Sequence, residues 1–240
     1  SMIFMENILL ETIGSVAVIR LNTPPLNLQT LDCMRRLGDI VRELAVSSVR
    51  AIVLTGEGGR VFCAGSDIKE FPSLRGNFVE EKLRNENYVF DGLSELPIPS
   101  VCAITGSALG GGLELAMCCD FRIMSESATL STPEINLGNF PGSGGPFRLV
   151  RSIGAARTKE MMSLAGTVSA EQALKYGLVN EVVPAESVTQ RAIELAAELA
   201  EKPPEILAAI KELVMASAYE TTAQAQAHAR RLYLKTIRRI

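Results

Sequence analysis

The sequence predicts an α/β fold, and three observations carry that prediction. Short apolar runs of strand length stop at glycine clusters, segments with apolar residues spaced by three and four alternate with them, and after Pro184 the composition turns alanine-rich and helical. Alternation of strands and helices implies a core with crossover connections. At 240 residues and 47% hydrophobic content the chain can bury one substantial core. We expect residues 1–184 to form it, followed by a helical C-terminal region over 185–240.

Taken in order, Ile8 to Thr12 and Val16 to Leu21 read as two strands joined by a tight turn at Gly14-Ser15. From Thr30 to Leu44, the positions Leu31, Met34, Leu37, Ile40, Val41 and Leu44 mark an amphipathic helix. Val49 to Thr55 is a buried strand stopped by Gly56, Gly58 and Gly59. A polar helix is expected over Asn77 to Leu96, broken by Pro97 and Pro99 before a buried strand at Ser100 to Thr105. A helix at Gly111 to Cys118 and a strand at Phe121 to Met124 follow, and Pro141 to Gly145 opens a helix through Val150. Ser169 with Glu171 and Gln172 starts another helix that Gly177 ends, before strand-like Leu178 to Val183. Helices over Ser187 to Ala200, Pro204 to Ala216 and Glu220 to Ile237 complete the chain, with Pro203-Pro204 as punctuation.

The formal charge of −3 gives no global attraction to nucleic acid or to an anionic membrane. Basic residues do cluster late, at Arg230, Arg231, Lys235, Arg238 and Arg239, where a solvated helix face is the simpler account. The five cysteines form no C-x-x-C pair and lie mostly in apolar runs, which fits a reducing compartment. No stretch approaches the roughly 20 apolar residues of a membrane span, and SMIFMENILLE lacks the pattern of a signal peptide. Ser1 before Met2 is expected to be an expression scar, and the cytoplasm is the expected location.

Two glutamates stand out. Glu114 follows three consecutive glycines in ALGGGLELAMCCD, and Glu134 lies between Pro133 and Ile135 in STPEINLGNFPGSGG. Burial raises a carboxyl pKa, so two carboxylates in apolar, glycine-lined settings are candidates for paired acid and base work near neutral pH. A buried structural carboxylate at Glu114 and a capping or surface residue at Glu134 are the competing accounts. FCAGSDIKE, from Phe62 to Glu70, is a glycine-bearing loop in which Asp67 and Glu70 have capping-box spacing, so amides near Ser66 precede a helix start. An ordinary capped turn is the plainer reading. The Gly106 to Gly112 loop is a second strand-to-helix junction, with glycines that let a ligand approach the backbone. If Ser66 and Gly111 turn their amides to one oxygen, they form an oxyanion hole.

Other chemistries fail on spacing. The phosphate loop is absent, and G-x-G-x-x-G begun at Gly56 or Gly142 meets Val61 or Phe147 where the last glycine belongs. A G-x-S-x-G elbow fails because Ala64, Thr105 and Pro141 precede Ser66, Ser107 and Ser143 by two. His228, the only histidine, sits in the alanine-rich tail, which leaves no base for a serine or cysteine triad and no histidine metal cluster.

FCAGSDIKEF, ITGSALGGGLELAMCCDFRI, TPEINLGNFPGSGG and VSAEQALKYGLVNEVVP, in that order and spacing, resemble the crotonase family of enoyl-CoA hydratases and isomerases. The resemblance runs from Ile8 to Pro184 and is weaker beyond. It implies a spiral of ββα repeats, with a helical C-terminal region that assembles trimers, often paired into hexamers, around acyl-CoA thioester substrates of fatty acid metabolism. It places the two oxyanion amides on Ser66 and Gly111. Glu114 then activates water and Glu134 exchanges the proton at the α-carbon. Ala64, Ser66, Asp67, Ile68 and Lys69 line the CoA pocket, with Lys69 either a phosphate partner or simply solvated, and Gly142 borders the water site. No cofactor is implied beyond the coenzyme A of the substrate. The expected reaction is hydration of a trans-2-enoyl-CoA to a 3-hydroxyacyl-CoA. The alternatives are double-bond isomerisation, which needs Glu134 alone, another acyl-CoA reaction of the same family, and a non-enzymatic acyl-CoA or RNA binder. Nucleic acid and membrane are not expected partners. Pro146 and Phe147 depart from the small residue and glutamine usual in relatives, which alters the expected acyl pocket. The chain ends at Ile240 without the family's closing segment, so the C-terminal region is expected to be truncated.

Overall fold

The computed structural model describes residues 6–237. β1 (Ile8–Ile13) and β2 (Val16–Leu21) form the expected antiparallel hairpin, with Ile8 opposite Leu21. α1 (Leu31–Ala45) starts where Thr30 accepts a hydrogen bond from the Cys33 amide, and it buries Met34, Leu37, Ile40, Val41 and Leu44. β3 (Ala51–Gly56) is buried along its length and leads to β4 (Val61–Cys63). A 3₁₀ segment over Ile68–Leu74 and a π-helical turn over Phe78–Leu83 precede α2 (Arg84–Glu95). The polar helix expected from Asn77 is therefore α-helical only from Arg84.

β5 (Ser100–Ile104) and β6 (Ser107–Leu109) lead into α3 (Gly111–Ala116), two residues shorter than expected. β7 (Phe121–Ser125) and β8 (Thr129–Ser131) lead into a 3₁₀ turn over Pro133–Leu137. α4 (Gly145–Leu164) continues well past Val150, broken by Gly154 at φ +78°. β9 (Val168–Ser169) runs into α5 (Ala170–Tyr176), where Ser169 and Gln172 complete a reciprocal capping box. β10 is confined to Glu181–Val183, and α6 (Val188–Ala200), α7 (Pro204–Ala216) and α8 (Thr222–Ile237) follow. Arg230, Arg231 and Lys235 lie on α8, whereas Arg238 and Arg239 of the basic cluster lie outside the described residues.

The strands make two sheets, one of six in the order β1-β2-β3-β5-β7-β10 and one of four in the order β4-β6-β8-β9. Pairing is parallel except in β1–β2 and β8–β9. The small sheet escapes a periodicity reading because its strands have two or three residues each, with polar Ser107, Thr129 and Ser131 at their ends. Three times in succession a strand of the large sheet is followed by one of the small sheet and then by a helical turn. The core lies between the sheets and under α1 and α2, while Val188, Ala192, Ala196 and Ala200 of α6 cover the other face of the large sheet against Val18, Val53 and Val101. Among the described residues no helix is long and apolar enough to cross a membrane.

Candidate active site

The helical turns that follow β4, β6 and β8 converge on one place. After β4, the loop from Ala64 to Asp67 is stitched to the start of α1: the Gln29 amide donates to Gly65 O at 2.8 Å, and the Asp67 amide donates to Gln29 O at 3.2 Å. After β6, Gly111 opens α3, and Gln29 Nε2 donates to its carbonyl at 2.8 Å. One residue thus ties both glycine loops together, the first through its backbone and the second through its side chain. Gly65 has φ +91°, and a Cβ there would meet Gly111 N at 3.1 Å, so the two loops are in van der Waals contact. Among the described residues neither the Ser66 nor the Gly111 amide has an acceptor. Two adjacent unpaired donors are what a carbonyl oxygen gaining negative charge requires.

Asp67 caps the 3₁₀ segment through the Lys69 amide at 3.0 Å, but the expected capping box does not close. The Glu70 carboxylate reaches instead to the Leu31 amide at the start of α1, at 3.0 Å through Oε2. That amide is one of the unpaired donors of a longer helix, and it wins the competition for Glu70. Ala64, Ser66 and Asp67 are half-buried, while Ile68 and Lys69 are exposed and face solvent.

Glu114 lies in the first turn of α3, 4% exposed. Its Oε1 accepts from the amides of Ser143 at 2.9 Å and Gly145 at 2.8 Å, both in the second glycine cluster. Burial pushes its pKa up to about 7; the amide of Gly145 opposes that rise, and the nearby Glu134 carboxylate adds to it. Glu134 is half-buried in the turn after β8, and burial raises its pKa as well. Its Oε2 is buried with no hydrogen-bond partner. Gly110, at φ +55°, makes room for it: a Cβ there would meet Glu134 Oε1 at 2.7 Å. The two acids therefore flank the Gly110-Gly111 step beside the unpaired amides. Gly142 sits on the same rim, packed against Leu83.

The chain as a whole matches a known family. A sequence model of the enoyl-CoA hydratase/isomerase family fits residues 11–239. The chain belongs to that family. The short-chain-enoyl-CoA hydratase of Clostridium acetobutylicum is 38% identical over 204 residues, covering 83% of this chain and 77% of that one. The crotonyl-CoA hydratase of Syntrophomonas wolfei is 35% identical over 199 residues, covering 82% and 76%. The crystal structure of an enoyl-CoA hydratase from Bacillus anthracis superposes with a TM-score of 0.93 at 33% identity, over 97% of this chain and 92% of that one. The ββα spiral expected from the resemblance is the fold observed.

Four residues packed around these groups carry no such signal in the sequence. Gln29 left no signal, since a polar residue at a helix start is ordinary. The sequence around Ser143 invites only a test as a nucleophile. Lys82 and Glu86, four apart on a predicted polar helix, look like a solvated i,i+4 pair, yet they are 1% and 3% exposed.

Proposed function

We propose that the chain adds water across the double bond of a trans-2-enoyl-CoA to give a 3-hydroxyacyl-CoA. The observation that carries this reading is the pair of glutamates with raised pKa values set beside two unpaired amides. In this scheme the thioester oxygen accepts from Ser66 N and Gly111 N, so that electron density moved onto it from the double bond is stabilised. Glu114 takes a proton from water through its free oxygen as the water oxygen bonds to C3, and Glu134 delivers a proton to C2. A base with a pKa of about 7 balances availability against proton affinity at neutral pH, and burial moves the Glu134 carboxyl in the direction an acid needs. Glu134 Oε2, lacking a protein partner, is the oxygen this scheme assigns to C2. Product release and exchange with solvent restore both protonation states.

Ala64, Ser66, Asp67, Ile68 and Lys69 border the CoA in this reading, Lys69 through a phosphate, and Gly142 borders the water. No further cofactor takes part. Assembly into trimers or paired trimers is supported by apolar side chains left outside on the last two helices, among them Val214 at 66% and Tyr233 at 63% exposure. Five buried free cysteines support a cytoplasmic location.

The test is a panel of enoyl-CoA thioesters of graded length, followed by loss of the conjugated thioester absorbance. Glu134→Gln and Glu114→Gln should each lower hydration roughly 100- to 10,000-fold. Hydration at the wild-type rate in Glu114→Gln removes that residue from the mechanism. The family description also names isomerases. Survival of 3-enoyl-CoA isomerisation in Glu114→Gln, with no hydration by the wild type, would favour that second reading.

A further inference from the structure

Behind Glu114 lies a buried polar cluster that the proposed chemistry does not use. Lys82 Nζ donates to Glu86 Oε1 at 2.7 Å and to Gln29 O at 3.4 Å. The other oxygen of Glu86, Oε2, accepts from Ser143 Oγ at 2.5 Å. Ser143, 1% exposed, donates its amide to Glu114 Oε1, and its carbonyl accepts from Arg148 Nη1 at 2.9 Å. Every hydrogen-bonding group of Ser143 is thus occupied, and one of them holds the carboxylate that the hydration scheme uses as base.

We infer that Glu86, with Lys82 as its counter-ion, is a positioning residue that fixes the Glu114 carboxylate through Ser143, and that Lys82 links this clamp through Gln29 to the two amide-bearing loops. Stability alone does not account for the pair, because a buried ion pair repays its desolvation poorly and is often replaced by apolar residues without loss. Its location adds a second, independent observation. Lys82 is carried on the π-helical turn over Phe78–Leu83, a distortion that regular helix propensity does not favour and that recurs at functional sites. The distortion spends regular hydrogen bonding to bring Lys82 inward beneath Gln29. The charged groups facing Glu114 are Glu134 from the turn after β8 and Glu86 from α2, with Arg148 of α4 reaching Ser143 O.

This inference rests on the proton-transfer role proposed for Glu114, and its test has a readout separate from activity. In protein labelled with ¹³C at the glutamate carboxyl, the Glu114 resonance is assigned by its loss in Glu114→Gln and titrated. Glu86→Gln keeps an acceptor for Ser143 Oγ but removes a repelling charge, so the Glu114 midpoint should move down. Ser143→Ala releases the amide that donates to Glu114, so the midpoint should move up. In both variants kcat should fall roughly 10- to 100-fold with KM nearly unchanged, as expected for a misplaced rather than a missing group. Lys82→Met strands the Glu86 carboxylate and Glu86→Gln strands the Lys82 ammonium, so each single variant is expected to lose stability; the double variant Lys82→Met with Glu86→Gln serves as the uncharged comparison, in which the opposite charges leave together and the midpoint should move less than in Glu86→Gln alone. Unchanged midpoints in folded Glu86→Gln and Ser143→Ala overturn the inference. Opposite movements of the two midpoints support it even where Glu114→Gln retains hydration, a result that would count against the hydration scheme instead.

Discussion

Glu114→Gln should make the protein more stable as well as inactive, and the size of the gain should depend on pH. The carboxyl has a pKa of about 7 in the folded protein against an ordinary 4.5. Below 4.5 the group is protonated in both the folded and unfolded chains, and its full contribution to stability is present. Between 4.5 and 7 the folded chain keeps a proton that the unfolded chain releases, so stability falls as pH rises. Above 7 the loss is complete, and at about 1.4 kcal/mol for each pH unit between the two values it amounts to roughly 3 kcal/mol. Glutamine keeps an oxygen to accept from the Ser143 and Gly145 amides, so it removes the charge while sparing both bonds. Urea unfolding at fixed protein concentration should show Glu114→Gln close to wild type at pH 5 and up to about 3 kcal/mol more stable at pH 8. Parallel stability curves from pH 5 to pH 8 would show that Glu114 takes up no proton on folding, and the reasoning from burial to a neutral-range base would fail with it.

Three further outcomes follow from particular contacts. Gly110→Ala forces a side chain onto a backbone with φ +55° and ψ −123° and against Glu134; it should lose about 1–3 kcal/mol of stability and most of its kcat, and a wild-type melting temperature and rate would contradict the packing described. Ser169→Ala removes one half of the α5 capping box and should cost about 1 kcal/mol in urea unfolding with activity intact, since α5 carries no site residue. His228 sits between Glu212 at 2.6 Å and Glu220 at 2.9 Å, and the Glu212 hydrogen bond foremost raises its pKa above the ordinary 6.5. The stability it lends is therefore full below pH 6.5 and fades as pH rises through the raised value, so the melting-temperature gap between wild type and His228→Gln should be widest near pH 6 and narrow by pH 9.

Elements whose stabilisation is local could be read from the sequence, and those decided by distant partners could not. Thr30 with the apolar stripe of α1, and Ser169 with Gln172 at the start of α5, are complete signals within a few residues. Asp67 and Glu70 have the same spacing as Ser169 and Gln172, yet Glu70 turns to Leu31 because the open end of α1 lies within reach; no local pattern reports that. Glu114 and Glu134 were legible because acids beside glycines in apolar runs are unusual for surface residues. Lys82 and Glu86 were not, since an i,i+4 pair has the same pattern whether it faces water or the interior, and what buries it here is a π-helical turn and the backbone of Gln29. His228 looks like a solvated tail residue for a similar reason, its burial depending on how α7 and α8 meet.

The spiral explains why residues so far apart in sequence meet at one point. Ser66, Gly111 and Glu134 occupy equivalent stations in three successive turns, each two or three residues past the end of a short strand: β4, β6 and β8. Those strands are parallel neighbours, so their carboxyl ends leave the sheet on the same edge, about 5 Å apart, where open α/β sheets place their ligands. Two adjacent exits supply one amide each, and the third supplies an acid. Glu114 lies three residues into α3, about 4.5 Å along the axis from Gly111, which lifts it across from Glu134. Because each station is set by strand pairing, the spacing between donors and acids is as rigid as the sheet. What pairing cannot set is the direction of each side chain, and the structure assigns that task to separate contacts: Gln29 to the two amide loops, Gly110 to Glu134, and Ser143 with Gly145 to Glu114.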